Sequence, residues 1–264
     1  MGWGDDLIWL GEAKYQYLKD GKRRRPTREW VPDTLKDAYL HSPYVDMGGG
    51  YAMEERHLGK RPYQGTIDYV CKPAELTLTE DEIKLGDDEY AKGSYWIICP
   101  DNKPNQSQGD NKIWGVGIPN WIKLVKLLKT KWPSQRILRL KPNYTDAQIP
   151  EVETLDSPGF RFAASIARKS SLIITTEGFW HHLAAAWNVP AVVLYGGITS
   201  PLPSSRHKIS GLGYEGQCNI VDNEHPDSPC YSSKKICTHC MEVWSRITPE
   251  LVFDQIENYL KVLK

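Results

Sequence analysis

Two loops in the second half of the chain carry glycines, hydroxyls and imidazoles in an order that suits phosphate binding. In the first, Thr176, Glu177 and Gly178 precede a predicted helix whose first turn contains His181 and His182. Exposed amides at a helix start, together with the helix dipole, favour a phosphate or diphosphate, and a glycine lets the backbone approach it closely. The alternative is that the paired histidines only cap the helix.

The second loop follows the next predicted strand and offers glycine amides beside two hydroxyl groups. Its candidate phosphate ligands are Gly196, Gly197, Thr199 and Ser200. Glycine-rich turns follow strands in α/β proteins of many kinds, so either loop alone is a weak signal. Two such loops after consecutive strands favour a shared ligand site, because parallel strands end at the same edge of a sheet.

Alternating strands and helices are needed to bring the two loops together, and the hydrophobic pattern predicts them from residue 94 onward. Strands are predicted over 95–99, 136–140, 172–175 and 191–195, and helices over 119–128, 160–168, 179–187 and 248–263. This alternation is typical of βαβ units and predicts an α/β fold with a parallel sheet. Before residue 94 the pattern predicts helices over 6–18 and 79–90, with short strands at 44–47 and 66–70.

Composition limits the classes of function. The 264 residues include 33 basic and 33 acidic side chains, so a polyanion needs a local basic patch rather than a global field. Ten Trp and 14 Tyr supply the apolar surface of a folded core, and no apolar run approaches the ~20 residues of a membrane span. Six cysteines and an acidic chain start, unlike that of a signal peptide, predict a cytoplasmic protein.

Several segments together resemble glycosyltransferase family 9, which includes the lipopolysaccharide heptosyltransferases. Residues 177–186 are similar to the family's Asp-Thr-Gly-x-x-His-x-Ala-Ala-Ala segment, and residues 189–201 to its Val-Pro-rich strand and Gly-x-Thr-x-Pro loop. Residues 112–114 resemble a Lys-x-Trp-Pro element, and residues 237–250 resemble the end of the family's chains. The resemblance is good over 94–264 and weak over 1–93.

The resemblance implies a GT-B fold, in which two Rossmann-like domains face each other across a cleft. We expect a reduced N-terminal acceptor-side domain over 1–93, a nucleotide-sugar-binding domain over 94–247 and a C-terminal helix over 248–264. A nucleoside-diphosphate sugar would then be the co-substrate, and a hexosyl, pentosyl or heptosyl group would be transferred with inversion and without an essential metal. The expected acceptor is a surface glycan of the lipopolysaccharide type.

The same resemblance implies roles for individual residues. Asp5 follows Gly4 as in the family's early Gly-Asp pair, and would be the general base that deprotonates the acceptor hydroxyl. The alternative is an N-cap carboxylate beside Asp6. The expected donor-binding residues are Lys112, which would neutralise the diphosphate, with Thr176, Glu177, Gly178, His181 or His182, Gly196, Gly197, Thr199 and Ser200.

A basic segment near the start of the chain allows more than one kind of acceptor molecule. Arg23, Arg24 and Arg25 lie between Lys22 and Arg28, and they either form a solvated loop or hold a polyanionic acceptor. Transfer onto hydroxymethylated bases of DNA is therefore a second hypothesis. A non-catalytic protein that binds nucleotide sugars is a third.

Cysteines near the end of the chain are candidate metal ligands. The predicted set for a structural zinc ion is Cys218, Cys230, Cys237 and Cys240, with His239 nearby. A second Cys-x-x-Cys pair, typical of zinc ribbons, is absent from the sequence, so buried thiols are the alternative.

Overall fold

A parallel sheet of six strands forms the centre of the computed structural model, in the spatial order β3-β2-β1-β4-β5-β6. The strands are β1 Tyr95–Cys99, β2 Arg136–Lys141, β3 Glu153–Asp156, β4 Leu172–Thr176, β5 Ala191–Tyr195 and β6 Cys218–Val221. The strand order reverses between β1 and β4, which is where doubly wound sheets bind ligands. The expected α/β class is confirmed.

The structure describes residues 3–26, 37–48, 69–101, 113–115, 117–142, 145–203, 211–222, 229–230 and 238–263. The helices in this part of the chain are α1 Trp3–Asp20, α2 Glu80–Tyr90, α3 Ile118–Lys131, α4 Phe160–Ala167, α5 Phe179–Trp187, α6 Thr238–Arg246 and α7 Pro249–Val262. Strands β3 and β6 and helix α6 were not predicted from the sequence.

Helices cover both faces of the sheet, and the alternation along β1 shows the division. Tyr95, Ile97 and Cys99 face the layer of α4, α5 and α1. Trp96 and Ile98 face the layer of α3, α6 and α7. All five side chains are buried, as expected for a strand between two helical layers.

Helix α1 belongs to the same hydrophobic core as the sheet. Leu7, Leu10 and Ala13 are fully buried in the cluster that contains the apolar face of α5. Gly11 allows close approach of the following chain, because a Cβ there would overlap the backbone oxygen of Lys72. Helix α1 is thus packed against α5, the helix that follows the first of the two predicted loops.

The described residues before β1 form no strand and only isolated bridges. Val45 pairs with Arg24, and Val70 pairs with Gly211. The strand predicted over 44–47 is therefore wrong, because it has no neighbouring strand to extend the pairing. The strand predicted over 66–70 falls mostly outside the described residues. The expected domain boundaries at 93 and 247 stay a prediction.

Arg161 joins α4 to the segment before the sheet. Its guanidinium donates to both carboxylate oxygens of Glu82, at 2.7 and 2.5 Å, and to the backbone oxygens of Asp37 and Thr77. The carboxylate also accepts from the N–H of Thr79 in a capping box at the start of α2. These bonds, above all those from Arg161, lower the pKa of Glu82 to about 2.

Acid is expected to remove the stabilisation that Glu82 provides. Its folded pKa of about 2 lies below the ordinary 4.5, so the contribution is complete above pH 4.5 and is lost as the pH falls toward 2. At neutral pH, Glu82→Gln should lower the free energy of unfolding by about 2 to 3 kcal/mol. Denaturant titrations at neutral and acid pH measure this loss, with Glu80→Gln at an exposed neighbouring carboxylate as control. Equal losses in the two variants would contradict the assignment.

Candidate functional site

The loop between β4 and α5 is held by the sheet and is open at its glycine. Thr176 ends β4, and the N–H of Glu177 donates to the oxygen of Leu194 at 2.9 Å. A Cβ added at Gly178 would meet no atom within 4 Å, so this residue borders open space at the start of α5. The amides at the start of α5 therefore lie at the carboxyl edge of the sheet, as the sequence predicts.

Both ring nitrogens of His181 bond to the backbone. Nδ1 accepts from the N–H of Gly178 at 3.0 Å, and Nε2 lies 2.9 Å from the oxygen of Leu212. An amide N–H only donates and a carbonyl only accepts, so Nε2 carries the proton and the ring is neutral. His181 is fully buried and fastens the loop to the segment around Leu212.

The ring of His182 is oriented by a buried hydroxyl. Its Nδ1 lies 2.8 Å from the hydroxyl of Tyr214, which also bonds to the thiol of Cys71. Burial raises the pKa of both the Tyr214 phenol and the Cys71 thiol, so both groups stay protonated at neutral pH. The Cδ2 edge of the imidazole faces the start of α1, 3.2 Å from the position of a Cβ at Gly4.

The two predicted loops are joined by a hydrogen bond. The hydroxyl of Thr199 donates to Oε2 of Glu177 at 3.2 Å, and both side chains are buried. Glu177, His181 and His182 offer ligand atoms that lie within 4.8 Å of one another. Since the backbone occupies both nitrogens of His181, we interpret this group as a hydrogen-bonded network rather than a metal site.

The start of α1 lies against the start of α5. The Trp3 ring packs edge-on against Phe179 and Phe160, with centroid distances of 5.2 and 5.7 Å. A Cβ at Gly4 would lie 3.3 Å from the backbone nitrogen of Phe179. Asp5, the next residue, is in the first turn of α1 and half-buried. The structure thus places the backbone of the predicted base beside the predicted donor loop.

The glycines of the second loop are covered by α6. A Cβ at Gly196 would overlap the ring of Trp244, and one at Gly197 would overlap the ring of His239. The oxygen of Gly197 accepts from the N–H of Cys230 at 2.7 Å. Packing against α6 therefore requires glycine at both positions. The sequence alone does not reveal this requirement.

The segment 211–217 was missed by the sequence analysis, yet it binds both loops. Its backbone N–H groups at Leu212 and Gly213 donate to the oxygens of Ser200 and Pro201, both at 2.9 Å. The side chain of Gln217 donates to the oxygen of His181 at 2.8 Å. The only sequence signal is the run Gly-Leu-Gly-Tyr, whose glycines lie against Pro201.

The basic segment requires a correction at Arg24. Its guanidinium is buried and donates to Gln16, to Asp20 and to the oxygen of Lys22, at 2.9, 2.6 and 2.7 Å. The expectation that Arg24 binds an acceptor is therefore wrong, because its donors are used within the fold. Arg23 and Arg25 are exposed on either side of it.

The cysteine set also differs from the prediction. Cys230, His239 and Cys240 offer ligand atoms within 4.8 Å of one another. Cys218 lies on β6, packed against the α3, α6 and α7 layer, and is not a member of this group. Cys237 lies outside the described residues, as does Lys112, so both remain predictions.

Comparison with known proteins gives a likeness of fold. No protein-family model and no curated protein matches the chain. A family 9 glycosyltransferase from Veillonella parvula has 20% identity and a TM-score of 0.50, covering 71% of this chain and 53% of its own. The iron-containing dodecameric glycosyltransferase TibC from enterotoxigenic E. coli has 14% identity and a TM-score of 0.50, covering 74% and 50%.

These two structures show that the sheet and its helices share the fold of one part of the GT-B-type glycosyltransferases. The chain spans about half the length of the structures that it matches. In the described part of the chain, every helix is too short or too polar to cross a bilayer.

Proposed function

We propose that this chain, which shares the fold of the family 9 glycosyltransferases, is an inverting glycosyltransferase that binds a nucleoside-diphosphate sugar at the start of α5. The observation that carries the proposal is the position of the open loop at Gly178, at the carboxyl edge of the sheet and beside the first turn of α1. A diphosphate donor and a carboxylate base are the two groups that such a transfer must bring together.

In this proposal the donor diphosphate binds the amides at the start of α5 and the imidazole of His182. His182 is preferred to His181 because its ring, held by the Tyr214 hydroxyl, turns its Cδ2 edge toward the first turn of α1, whereas the ring of His181 is fastened to the backbone of Gly178 and Leu212. The departing nucleoside diphosphate would be stabilised by these donors and by Lys112, without a metal at the reacting atoms. In this proposal residues 94–247 bind the donor, and residues 1–93 face the acceptor.

Nucleotide binding tests the donor site. His182→Ala should weaken binding of the preferred nucleoside diphosphate by about 10- to 100-fold, the range for a hydrogen bond to a charged group. Tyr214→Phe removes only the hydroxyl that holds the ring, and should weaken binding by about 3- to 10-fold and shift its pH dependence. Calorimetry with adenosine, guanosine, uridine and cytidine diphosphates makes the measurement.

Tyr90→Phe is the matched control, because the Tyr90 side chain is exposed on α2. It should bind nucleotide like the parent chain. If none of the four nucleotides binds the parent chain, or if His182→Ala binds as tightly as the parent, the donor site is not at α5.

A surface glycan remains the proposed acceptor. The inward turn of Arg24 removes one cation from the basic segment, which weakens the argument for DNA. Acceptor binding that falls with salt at a log–log slope near about −0.9 per phosphate contact would favour DNA instead. Loss of that slope in an Arg23→Ala/Arg25→Ala variant would locate the contact.

A further inference from the structure

Three soft ligand groups converge at the start of α6. The Sγ atoms of Cys230 and Cys240 are 3.7 Å apart, and Nδ1 of His239 is 3.8 Å from the Sγ of Cys240. A disulfide requires an S–S distance of about 2.05 Å, so the two sulfurs are not bonded. In a tetrahedral zinc site with Zn–S bonds of ~2.3 Å and Zn–N bonds of ~2.0 Å, two sulfurs are about 3.8 Å apart, and a sulfur and a nitrogen are about 3.5 Å apart.

The separations of 3.7 and 3.8 Å are close to these values, and all three ligand atoms lie within 4.8 Å of one another, which is near enough for one ion to contact them all. Two thiolates and an imidazole are the donor set that zinc prefers, and iron also accepts thiolate ligands. The group lies in the interior, since Cys240 is fully buried and the other two residues are half-buried. A bound cation would neutralise thiolates that burial disfavours.

We infer that Cys230, His239 and Cys240 bind one transition-metal ion of the zinc type, and that this ion fixes the shape of the loop at Gly197. The first half of the inference stands on the ligand geometry alone. The second half concerns regulation of the donor site, and to that extent it rests on the proposed function.

Two of the three ligands touch the same glycine. Cys230 donates its N–H to the oxygen of Gly197, and the ring of His239 lies over the α-carbon of Gly197. Metal binding would join these two residues, which come from different segments, and so hold Gly197 between them. Without the ion, the hydrogen bond from Cys230 and the packing of the His239 ring would no longer be joined through a shared metal.

The contact continues from Gly197 into the donor loop. Thr199, two residues later, donates to the carboxylate of Glu177, which precedes Gly178 at the start of α5. The path from the metal ligands to the proposed diphosphate site therefore crosses one loop and one side-chain hydrogen bond. A metal ion far from the reacting atoms would in this way control donor affinity.

Metal content tests the site independently of catalysis. The whole chain, loaded with Zn²⁺ and passed through a desalting column, should retain about one ion, as should Cys218→Ser, whose thiol lies outside the group. Cys230→Ser should lose the ion. Because Cys240 is fully buried and its variant is at risk of misfolding, Co²⁺ loaded into the parent chain supplies a second measurement. Thiolate-to-Co²⁺ charge-transfer absorption is expected in the parent chain and in Cys218→Ser, and should be absent from Cys230→Ser.

Zinc or iron at one ion per chain supports the site. Equal retention by the parent and Cys230→Ser, or no absorption from bound Co²⁺, overturns it. Removal of the ion from the parent chain by a chelator should raise amide hydrogen exchange of residues 196–199 by at least about tenfold while β1 and β2 stay protected.

Unchanged exchange at 196–199 would overturn the role of the ion in holding the loop. Nucleotide titration of the metal-loaded and metal-free chain completes the test, with at least about tenfold weaker binding expected without metal. Equal affinities would overturn control of the donor site. A chain that retains metal and binds no nucleotide in either form leaves the metal site standing and contradicts the proposed function.

Discussion

Replacing Asp5 by asparagine is expected to slow sugar transfer by at least about 100-fold, the effect of losing a general base, while nucleoside-diphosphate affinity stays within about twofold. The amide has the size of the carboxylate but takes no proton from an acceptor hydroxyl. The structure supports this position because Gly4, the preceding residue, lies against Phe179 and His182 at the proposed donor loop.

Single-turnover transfer and calorimetry on the same preparation separate the two effects. Asp6→Asn is the informative comparison, because Asp6 is buried and accepts from the hydroxyl of Tyr39 at 2.6 Å. That variant should lose stability rather than transfer. If Asp5→Asn instead transfers normally and loses about 1 kcal/mol of unfolding free energy, Asp5 only stabilises the first turn of α1 through the helix dipole, and the base lies elsewhere. Normal nucleotide binding with no transfer by the parent chain would favour the non-catalytic hypothesis.

Arg139→Leu is expected to lower the free energy of unfolding by about 3 to 5 kcal/mol, because it leaves a carboxylate without its buried cation. Arg139 is fully buried on β2, and its guanidinium donates to both oxygens of Asp101 at 2.8 and 2.5 Å. It also donates to the oxygen of Ala147 at 2.5 Å. Arg139 thus connects β2 to Asp101 in the chain after β1 and to Ala147 in the chain after β2.

A double variant gives this prediction its control. Arg139→Leu/Asp101→Leu removes both charges, and should be more stable than the single variant by about 2 kcal/mol or more. Denaturant titrations of the three chains measure the differences. A single variant as stable as the double one would mean that water or another cation compensates Asp101.

The sequence predicted the inner strands well because their residues are apolar on both faces. β4 and β5 are buried at every position, and such continuous runs are easily recognised. The edge strand β3, with the sequence Glu-Thr-Leu-Asp, is only partly buried and resembles a loop. Edge strands take their structure from one neighbour rather than from their own composition, which is why β3 and β6 were missed.

Side-chain roles were less predictable, since they depend on contacts between distant residues. Our proposed choice of His182 over His181 depends on their hydrogen bonds with Tyr214 and Leu212, which lie more than 30 positions away in the sequence. Arg24 was misassigned because a count of charges along the sequence does not show in which direction each side chain points. Its bridge with Val45 is extended, so alternate side chains point to opposite sides and Arg24 turns inward.

The burial of α1 in the core of the sheet has a consequence for recombinant fragments. A fragment that begins at residue 94 would lack Leu7, Leu10 and Ala13, and would expose to solvent the apolar surface of α5 that they cover. Uncovered patches of this kind promote aggregation. The fragment 94–264 should therefore be insoluble when expressed alone, and should gain solubility when a peptide spanning α1 is co-expressed with it.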